Sequence, residues 1–116
     1  MKLRELMILL DADVLTDDPD LDMDIQMACG ADLMSDVMAY VKENVVLLTG
    51  LMNPQVIRTA EMMDINVVVF IRGKVPEKRI VELAQENKIT VLATRYPMYI
   101  ACGKLYKGGL GVINNH

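Results

Sequence analysis

The sequence predicts a single small α/β domain with a mostly parallel β-sheet. It should have a βαβαβ core, preceded by an N-terminal helix and an edge strand. Three short β-branched runs, VVLLT (45–49), VVVFI (67–71) and TVLAT (90–94), begin 22 and 23 residues apart. Each run is apolar at every position, as parallel strands covered on both faces are, and amphipathic helical patterns separate them. No linker divides residues 1–116, and the repeated strand and helix units cover 45–106.

The elements before this core follow from their periodicity. Apolar residues in 3–10 recur with helical spacing, which predicts a short amphipathic helix at the start of the chain. Residues 22–29 alternate polar and apolar, which predicts a strand that pairs antiparallel or at an edge of the sheet. Apolar spacing in 34–41 predicts a second helix, which Asp32 or Ser35 could cap.

The remaining helices follow the three strands. Residues 56–63 and 80–84 carry an apolar stripe opposite a charged face, as crossover helices do. A crossover of this length returns the chain parallel to its start. Residues 98–105 repeat the helical spacing, and the glycines at 108–109 should end this last helix.

The composition excludes several classes of protein. The chain has 116 residues, of which 53% are hydrophobic and 24% charged, and no apolar stretch approaches the ~18 residues that a membrane span needs. A net charge of −4 argues against a nucleic-acid partner, because phosphate contacts need clustered Lys and Arg. The first residues do not read as a secretory signal, so we expect a cytoplasmic protein with no membrane partner.

A candidate anion site lies in the loops that follow the three strands, TGLMNP (49–54), RGKVP (72–76) and TRYP (94–97). The carboxyl ends of parallel strands meet at one edge, where open α/β sheets bind ligands. Cations, hydroxyls and helix N-terminal amides there suit phosphate or carboxylate, and each loop ends in a proline that suits the first turn of the next helix. The predicted ligand-binding residues are Thr49, Gly50, Asn53, Arg72, Gly73, Lys74, Thr94, Arg95 and Tyr96. In the alternative interpretation, the cations are solvated loop charges and the glycines only shape turns.

Other chemistry leaves little trace in the sequence. Residues 11–24 contain seven aspartates but not the spacing of a calcium loop, so we expect a solvated turn beside the edge strand and no metal. The aspartates would also discourage edge-to-edge pairing. The one histidine is His116, and both Cys29 and Cys102 lie on apolar phases, which indicates core packing. We therefore expect no catalytic residue, no cofactor and no enzymatic activity.

From Ala31 to Leu110 the sequence resembles a DRTGG domain. This small α/β module occurs alone, beside CBS domains in regulated pyrophosphatases, and within some phosphotransacetylases. The chain is also similar to the N-terminal domain of HPr kinase, although it has no phosphate-loop motif of the kinase itself. The segments that carry the resemblance are VVLLTG (45–50), RG (72–73), PEKRIVELA (76–84), TVLATRY (90–96) and ACGKLY (101–106).

The resemblance implies a noncatalytic, typically dimeric domain that contributes to an adenine-nucleotide-sensing unit in CBS-linked relatives. Where the family commonly has T-G-G-D-R, this chain has TGLMN (49–53). Apolar Leu51 and Met52 thus replace groups that could bind a nucleotide. The leading hypothesis is a homodimeric regulatory or ligand-sensing module that binds a nucleotide or other small anion and signals to a regulated partner protein. The alternative is a structural adaptor that binds a protein through methionine-rich surfaces and takes no small ligand.

Overall fold

The computed structural model describes residues 1–40 and 43–111. No helix within these ranges is long and apolar enough to cross a lipid bilayer. The elements in chain order are α1 (Leu3–Leu10), β1 (Asp13–Val14), β2 (Met27–Gly30), α2 (Met34–Tyr40), β3 (Val45–Thr49), α3 (Pro54–Met62), β4 (Val67–Phe70), α4 (Lys78–Glu86), β5 (Thr90–Ala93) and α5 (Met98–Lys107).

The five strands form one sheet in the order β1-β5-β4-β3-β2. Strands β2 to β5 pair in parallel, whereas β1 pairs antiparallel with β5. Thr49 lies beside Phe70, and Phe70 lies beside Ala93, so β3, β4 and β5 end at the same level. The predicted α/β class and its parallel βαβαβ core are confirmed.

Helices cover both faces of the sheet. Helices α2, α3 and α4 pack on the face that carries Leu47, Val68 and Phe70. Helices α1 and α5 pack on the opposite face, against Leu48 and Val69. Because neighbouring residues of a strand point to opposite faces, every position of a central strand is buried and has to be apolar. This is why the strand runs lack alternation.

The first and last helices agree with the sequence prediction. In α1 the side chains of Leu3, Leu6 and Leu10 are fully buried, so the apolar stripe faces the sheet. Helix α5 ends at Lys107, and Gly108 occupies its C-cap.

The prolines before the helices hold three different positions. Pro54 is the first residue of α3, and Asn53 caps this helix by accepting a hydrogen bond from Gln55 N at 2.8 Å. Pro76 lies two residues before α4, and Pro97 is the N-cap residue of α5. The first-turn prediction is therefore right only for Pro54. The other two prolines stand just before the helix, where an extended residue without an N–H is equally well tolerated.

The predicted strand over residues 22–29 is confirmed as an edge strand, but it is shorter than predicted and the antiparallel alternative is wrong. The strand present is β2, which begins only at Met27 and runs parallel to β3 at one edge of the sheet. The residues before it bind the start of the chain instead: Leu3 N donates to Met23 O at 2.9 Å, and Ile25 N donates to Met1 O at 2.7 Å. These backbone groups are therefore not available to the sheet.

The antiparallel edge strand lies in the acidic segment, which the sequence presents as a turn. Asp13 of β1 pairs with Ala93, and Val91 N donates to the buried Thr16 hydroxyl at 3.1 Å. With only two residues, β1 is too short to produce a period-two pattern. The interpretation of 11–24 as a solvated turn is wrong for this part of the segment.

Helix α2 confirms the helical spacing from Met34 onward, while Val41 lies outside the described residues. The predicted caps are wrong. Ser35 lies inside the helix, and the Asp32 carboxylate hydrogen-bonds to Gly50 N, in the loop after β3.

Candidate functional site

At the carboxyl ends of β4 and β5 the chain leaves two neighbouring strands in opposite directions. After β4 it crosses to α4, which packs on one face of the sheet, and after β5 it crosses to α5 on the other face. Diverging connections from adjacent parallel strands are the arrangement in which open α/β sheets bind ligands. The loops over 71–77 and 94–97 lie at this position, which is the candidate crevice of the sheet.

Backbone hydrogen bonds tie the three loops together. Ile71 N donates to Thr49 O at 3.1 Å, which joins the loops after β4 and β3. Arg72 N donates to Tyr96 O, and Gly73 N donates to Thr94 O, both at 2.9 Å. The structure thus brings six of the nine predicted residues into contact, namely Thr49, Gly50, Arg72, Gly73, Thr94 and Tyr96. Because these amides already have acceptors, any ligand there depends on side chains.

Arg72 sits in a tight turn with an unfavourable backbone conformation. Arg72 and Gly73 both have positive φ, at 63° and 71°, and Lys74 N closes the turn on Ile71 O at 3.3 Å. A left-handed conformation costs a residue other than glycine roughly 1–2 kcal/mol. The backbone hydrogen bonds of Arg72 N and Gly73 N maintain this conformation.

The Arg72 side chain reaches back to the loop after β3 and lies against Gly50. A Cβ atom placed on Gly50 would be only 2.6 Å from Arg72 Nη2. Because residue 50 is a glycine, there is space beside it for the Arg72 guanidinium. The contact fixes the charge of Arg72 between the ends of β3 and β4.

Asp32 organises the loop after β3, a role that the sequence analysis missed. Its Oδ1 accepts hydrogen bonds from Gly50 N at 2.7 Å and from the Thr49 hydroxyl at 3.2 Å. The Thr49 hydroxyl in turn accepts from Leu51 N at 3.1 Å. The signal that could have revealed Asp32 is its position: an acidic residue that follows β2 lies beside the loop that follows the parallel neighbour β3.

Two further predicted site residues have structural hydrogen bonds. Thr94 is buried, and its hydroxyl donates to Leu10 O at 2.6 Å and accepts from Tyr96 N at 3.3 Å. Asn53 caps α3. The Thr94 hydroxyl and the Asn53 Oδ1 atom are thus used to hold α1 and to cap α3.

The cations of this edge are available to a ligand. Arg72, Lys74 and Arg95 are exposed, and none of the ion pairs within residues 1–40 and 43–111 involves them. Nearby, the Lys104 ammonium lies over the Tyr96 ring, 4.7 Å from its centroid. A chain with a net charge of −4 thus keeps a cluster of positive side chains beside the crevice.

A second surface feature is an apolar groove of about 570 Å³ between β2 and α5. Tyr99 and Tyr106 project from α5 at its rim and are 85% and 67% exposed. Burial raises the pKa of the Cys102 thiol inside the groove, which disfavours a reactive thiolate. The lining residues are Met27, Ala28, Met98, Tyr99, Cys102, Gly103, Leu105, Tyr106, Lys107, Leu110 and Gly111.

The acidic segment is occupied by contacts within the chain. Arg4 Nη2 binds Asp22 Oδ1 at 2.6 Å, and the Met1 ammonium lies 3.3 Å from Asp24 Oδ1, which lowers the pKa of Asp24. In the part of the chain that the structure describes, no three His, Cys, Asp or Glu side chains group as metal ligands.

Comparison with known families identifies the domain. The family model of the DRTGG domain matches residues 5–105. The chain belongs to the DRTGG domain family. The matched range begins earlier in the chain than the resemblance noted in the sequence. It starts within α1 and includes the acidic segment 11–24.

A solved structure shares the DRTGG fold of this chain. It is the crystal structure of the CBS and DRTGG domains of the regulatory region of Clostridium perfringens pyrophosphatase, complexed with the activator diadenosine tetraphosphate. The TM-score is 0.74 at 18% sequence identity, over 90% of this chain. This DRTGG domain spans 45% of that chain. A search of curated proteins gives no match.

Proposed function

We propose that this DRTGG domain is a noncatalytic regulatory module that binds a nucleotide or another small anion in the crevice between β4 and β5. The observation that carries the proposal is the set of exposed cations, Arg72, Lys74 and Arg95, beside the two diverging loops. The regulatory region of the clostridial pyrophosphatase, which shares the fold, is complexed with an adenine dinucleotide activator. A polyphosphate of this kind matches the charge of the crevice.

The chemistry of the crevice favours binding over catalysis. Both threonine hydroxyls, of Thr49 and Thr94, are committed to hydrogen bonds within the chain. The exposed cations there attract phosphate but do not act as a general base at neutral pH, and the carboxylate beside them, Asp32, accepts hydrogen bonds from Gly50 N and the Thr49 hydroxyl. Binding without turnover is the behaviour expected of a sensor.

Calorimetry with diadenosine tetraphosphate and with ATP tests the ligand. Replacing Arg72 and Arg95 together by alanine should weaken binding at least about tenfold, because charge-assisted hydrogen bonds contribute roughly 1.5–3 kcal/mol each. The matched control is Arg58→Ala with Lys78→Ala, which removes the same charge from exposed positions on α3 and α4. The ligand proposal fails if neither nucleotide binds, or if the two double variants bind equally.

The apolar groove favours a second candidate function, a structural adaptor without a small ligand. Groove and exposed tyrosines form the kind of apolar patch that marks protein contacts on small soluble proteins. We propose that a second copy of the chain covers this surface, as a homodimer, and that a regulated partner protein binds the dimer.

Light scattering at micromolar concentration tests the dimer. Tyr99→Glu should shift the protein toward monomer, because it places a charge in the contact surface. Ile8→Glu on α1 is the control, since Ile8 is also exposed, at 79%, but lies away from the groove lining. A wild-type monomer, or equal effects of both variants, would contradict this surface.

A further inference from the structure

Asp32 places a negative charge inside the edge that is proposed to bind an anion. Its Oδ1 accepts from Gly50 N at 2.7 Å, a charge-assisted bond at the short end of the usual range. On the other side of Gly50 lies the Arg72 guanidinium. The carboxylate and the guanidinium therefore flank the same glycine.

The Gly50 amide is the backbone donor that a ligand phosphate would otherwise reach at the end of β3. Backbone amides in the loops after parallel strands commonly bind phosphate in this way. Here the amide already has an anionic acceptor, and a second anion at the same place would be repelled by the exposed carboxylate of Asp32. The turn is thus filled by an anion that belongs to the chain.

We propose that Asp32 is a specificity-determining residue: its carboxylate excludes ligand phosphate from the β3 turn and confines it to the crevice between β4 and β5. This inference rests on the proposed function and narrows the proposed ligand site to the side of Arg72, Lys74 and Arg95. It also predicts that the Gly50 amide, which is held in place by its hydrogen bond to Asp32, does not contact the ligand.

The test uses sodium triphosphate as the probe and three variants of the full chain. Asp32→Ala removes the carboxylate and frees the Gly50 amide. Asp32→Asn keeps an oxygen acceptor for that amide and removes only the charge, so it serves if the alanine variant does not fold. Asp36→Ala is the matched control, because Asp36 is an exposed carboxylate in the first turn of α2 that makes no contact with Gly50 in the described residues.

Calorimetry should show that triphosphate binds Asp32→Ala at least about tenfold more tightly than wild type, with Asp32→Asn between them. Asp36→Ala should stay within about twofold of wild type, since an exposed charge at a distance is screened. In amide NMR spectra the Gly50 resonance should move much farther on titration in Asp32→Ala than in wild type, where it responds only to an anion bound at the neighbouring Arg72. The inference is overturned if neither Asp32 variant exceeds the Asp36 control, or if the Gly50 resonance moves equally in wild type and in Asp32→Ala.

The same titration separates this inference from the proposed function. In wild type, movement of the Lys74 and Arg95 resonances reports anion binding in the crevice. If these resonances stay still, the proposed function fails. The response of Gly50 in Asp32→Ala still decides whether the carboxylate is what keeps anions out of the β3 turn.

Discussion

The carboxyl edge of the sheet and the groove between β2 and α5 are two surfaces with opposite chemistry. At the edge, hydrogen bonds join the loops after β3, β4 and β5, and the exposed cations Arg72, Lys74 and Arg95 have no ion-pair partner within the described residues. The groove is lined almost wholly by apolar atoms and contains no such bonded network among its described residues. The edge suits a small anion, whereas the groove suits a protein surface.

Because the two surfaces differ in chemistry, a substitution in one should change ligand binding or self-association without changing the other. A ligand at the edge should respond to charge and salt, because its binding is electrostatic. Association through the groove should respond to shape and apolar area. The first prediction below perturbs the helix that the two surfaces share, and the others perturb one surface each.

The largest effect on stability should come from Leu105→Ala, which weakens the packing of α5, the helix that both surfaces share. Leu105 is buried against the sheet and also lines the groove, and α5 begins directly after the loop of Tyr96. The cavity should lower the free energy of unfolding by about 2–5 kcal/mol in urea denaturation. Tyr106→Ala, at an exposed neighbouring position, should lower the free energy of unfolding far less. Equal costs would mean that α5 is not docked as described.

The next effect concerns hydrogen bonding at the edge. Thr94→Val keeps the shape of the side chain but leaves Leu10 O and Tyr96 N without their partner, which should cost about 1–3 kcal/mol of unfolding free energy. Thr94→Ser retains the hydroxyl and should keep most of that stability. A stable valine variant would show that these bonds do not hold α1 to the edge.

A smaller stability effect, with a clear effect on binding, should follow from Gly50→Ala. The new Cβ would displace the Arg72 guanidinium, which is the flexible end of a side chain, so unfolding free energy should change by less than about 1 kcal/mol. Nucleotide affinity should fall, while the sedimentation behaviour set by the groove stays unchanged. Unaltered affinity would remove Arg72 from the proposed site.

The smallest expected effect is on the rate at which Cys102, a residue that lines the groove, is alkylated. Burial raises the pKa of Cys102 above its ordinary value, so at pH 8 less thiolate is present and alkylation should be slower than for a free thiol. The rate should increase as pH rises through and beyond 9. If a second copy covers the groove, alkylation should also slow with protein concentration, and a concentration-independent rate would count against that interface.

The sequence was informative wherever burial left a regular pattern. The runs at 45–49, 67–71 and 90–94 predict β3, β4 and β5 almost to the residue, because strands covered on both faces are apolar throughout. The edges were predicted poorly. Strand β1 has two residues and leaves no pattern, and the alternation over 22–29 overstates the length of β2 because the residues before it bind the chain start.

For the candidate site, the sequence predicts which loops meet but not which groups are already used. Parallel strands place the loops of Thr49, Arg72 and Thr94 at one edge, and the backbone bonds agree. The commitment of the Thr94 hydroxyl to Leu10 O joins residues 84 positions apart, and no local pattern announces such a bond. Asp32 was missed for the same reason, since its partners lie on the neighbouring strand.

The order of the strands has a consequence for how the chain acquires its structure during synthesis. Strands β3, β4 and β5 each pair with the strand made just before, so these units can assemble as they emerge. The bonds of Thr16 and Leu10 go to Val91 and Thr94, across 75 and 84 residues, so α1 and β1 have to wait for the far end of the chain. The part of this domain that leaves the ribosome first is thus the part that folds last. Until then its buried leucines remain uncovered, and it is there that we expect chaperones to bind the nascent chain.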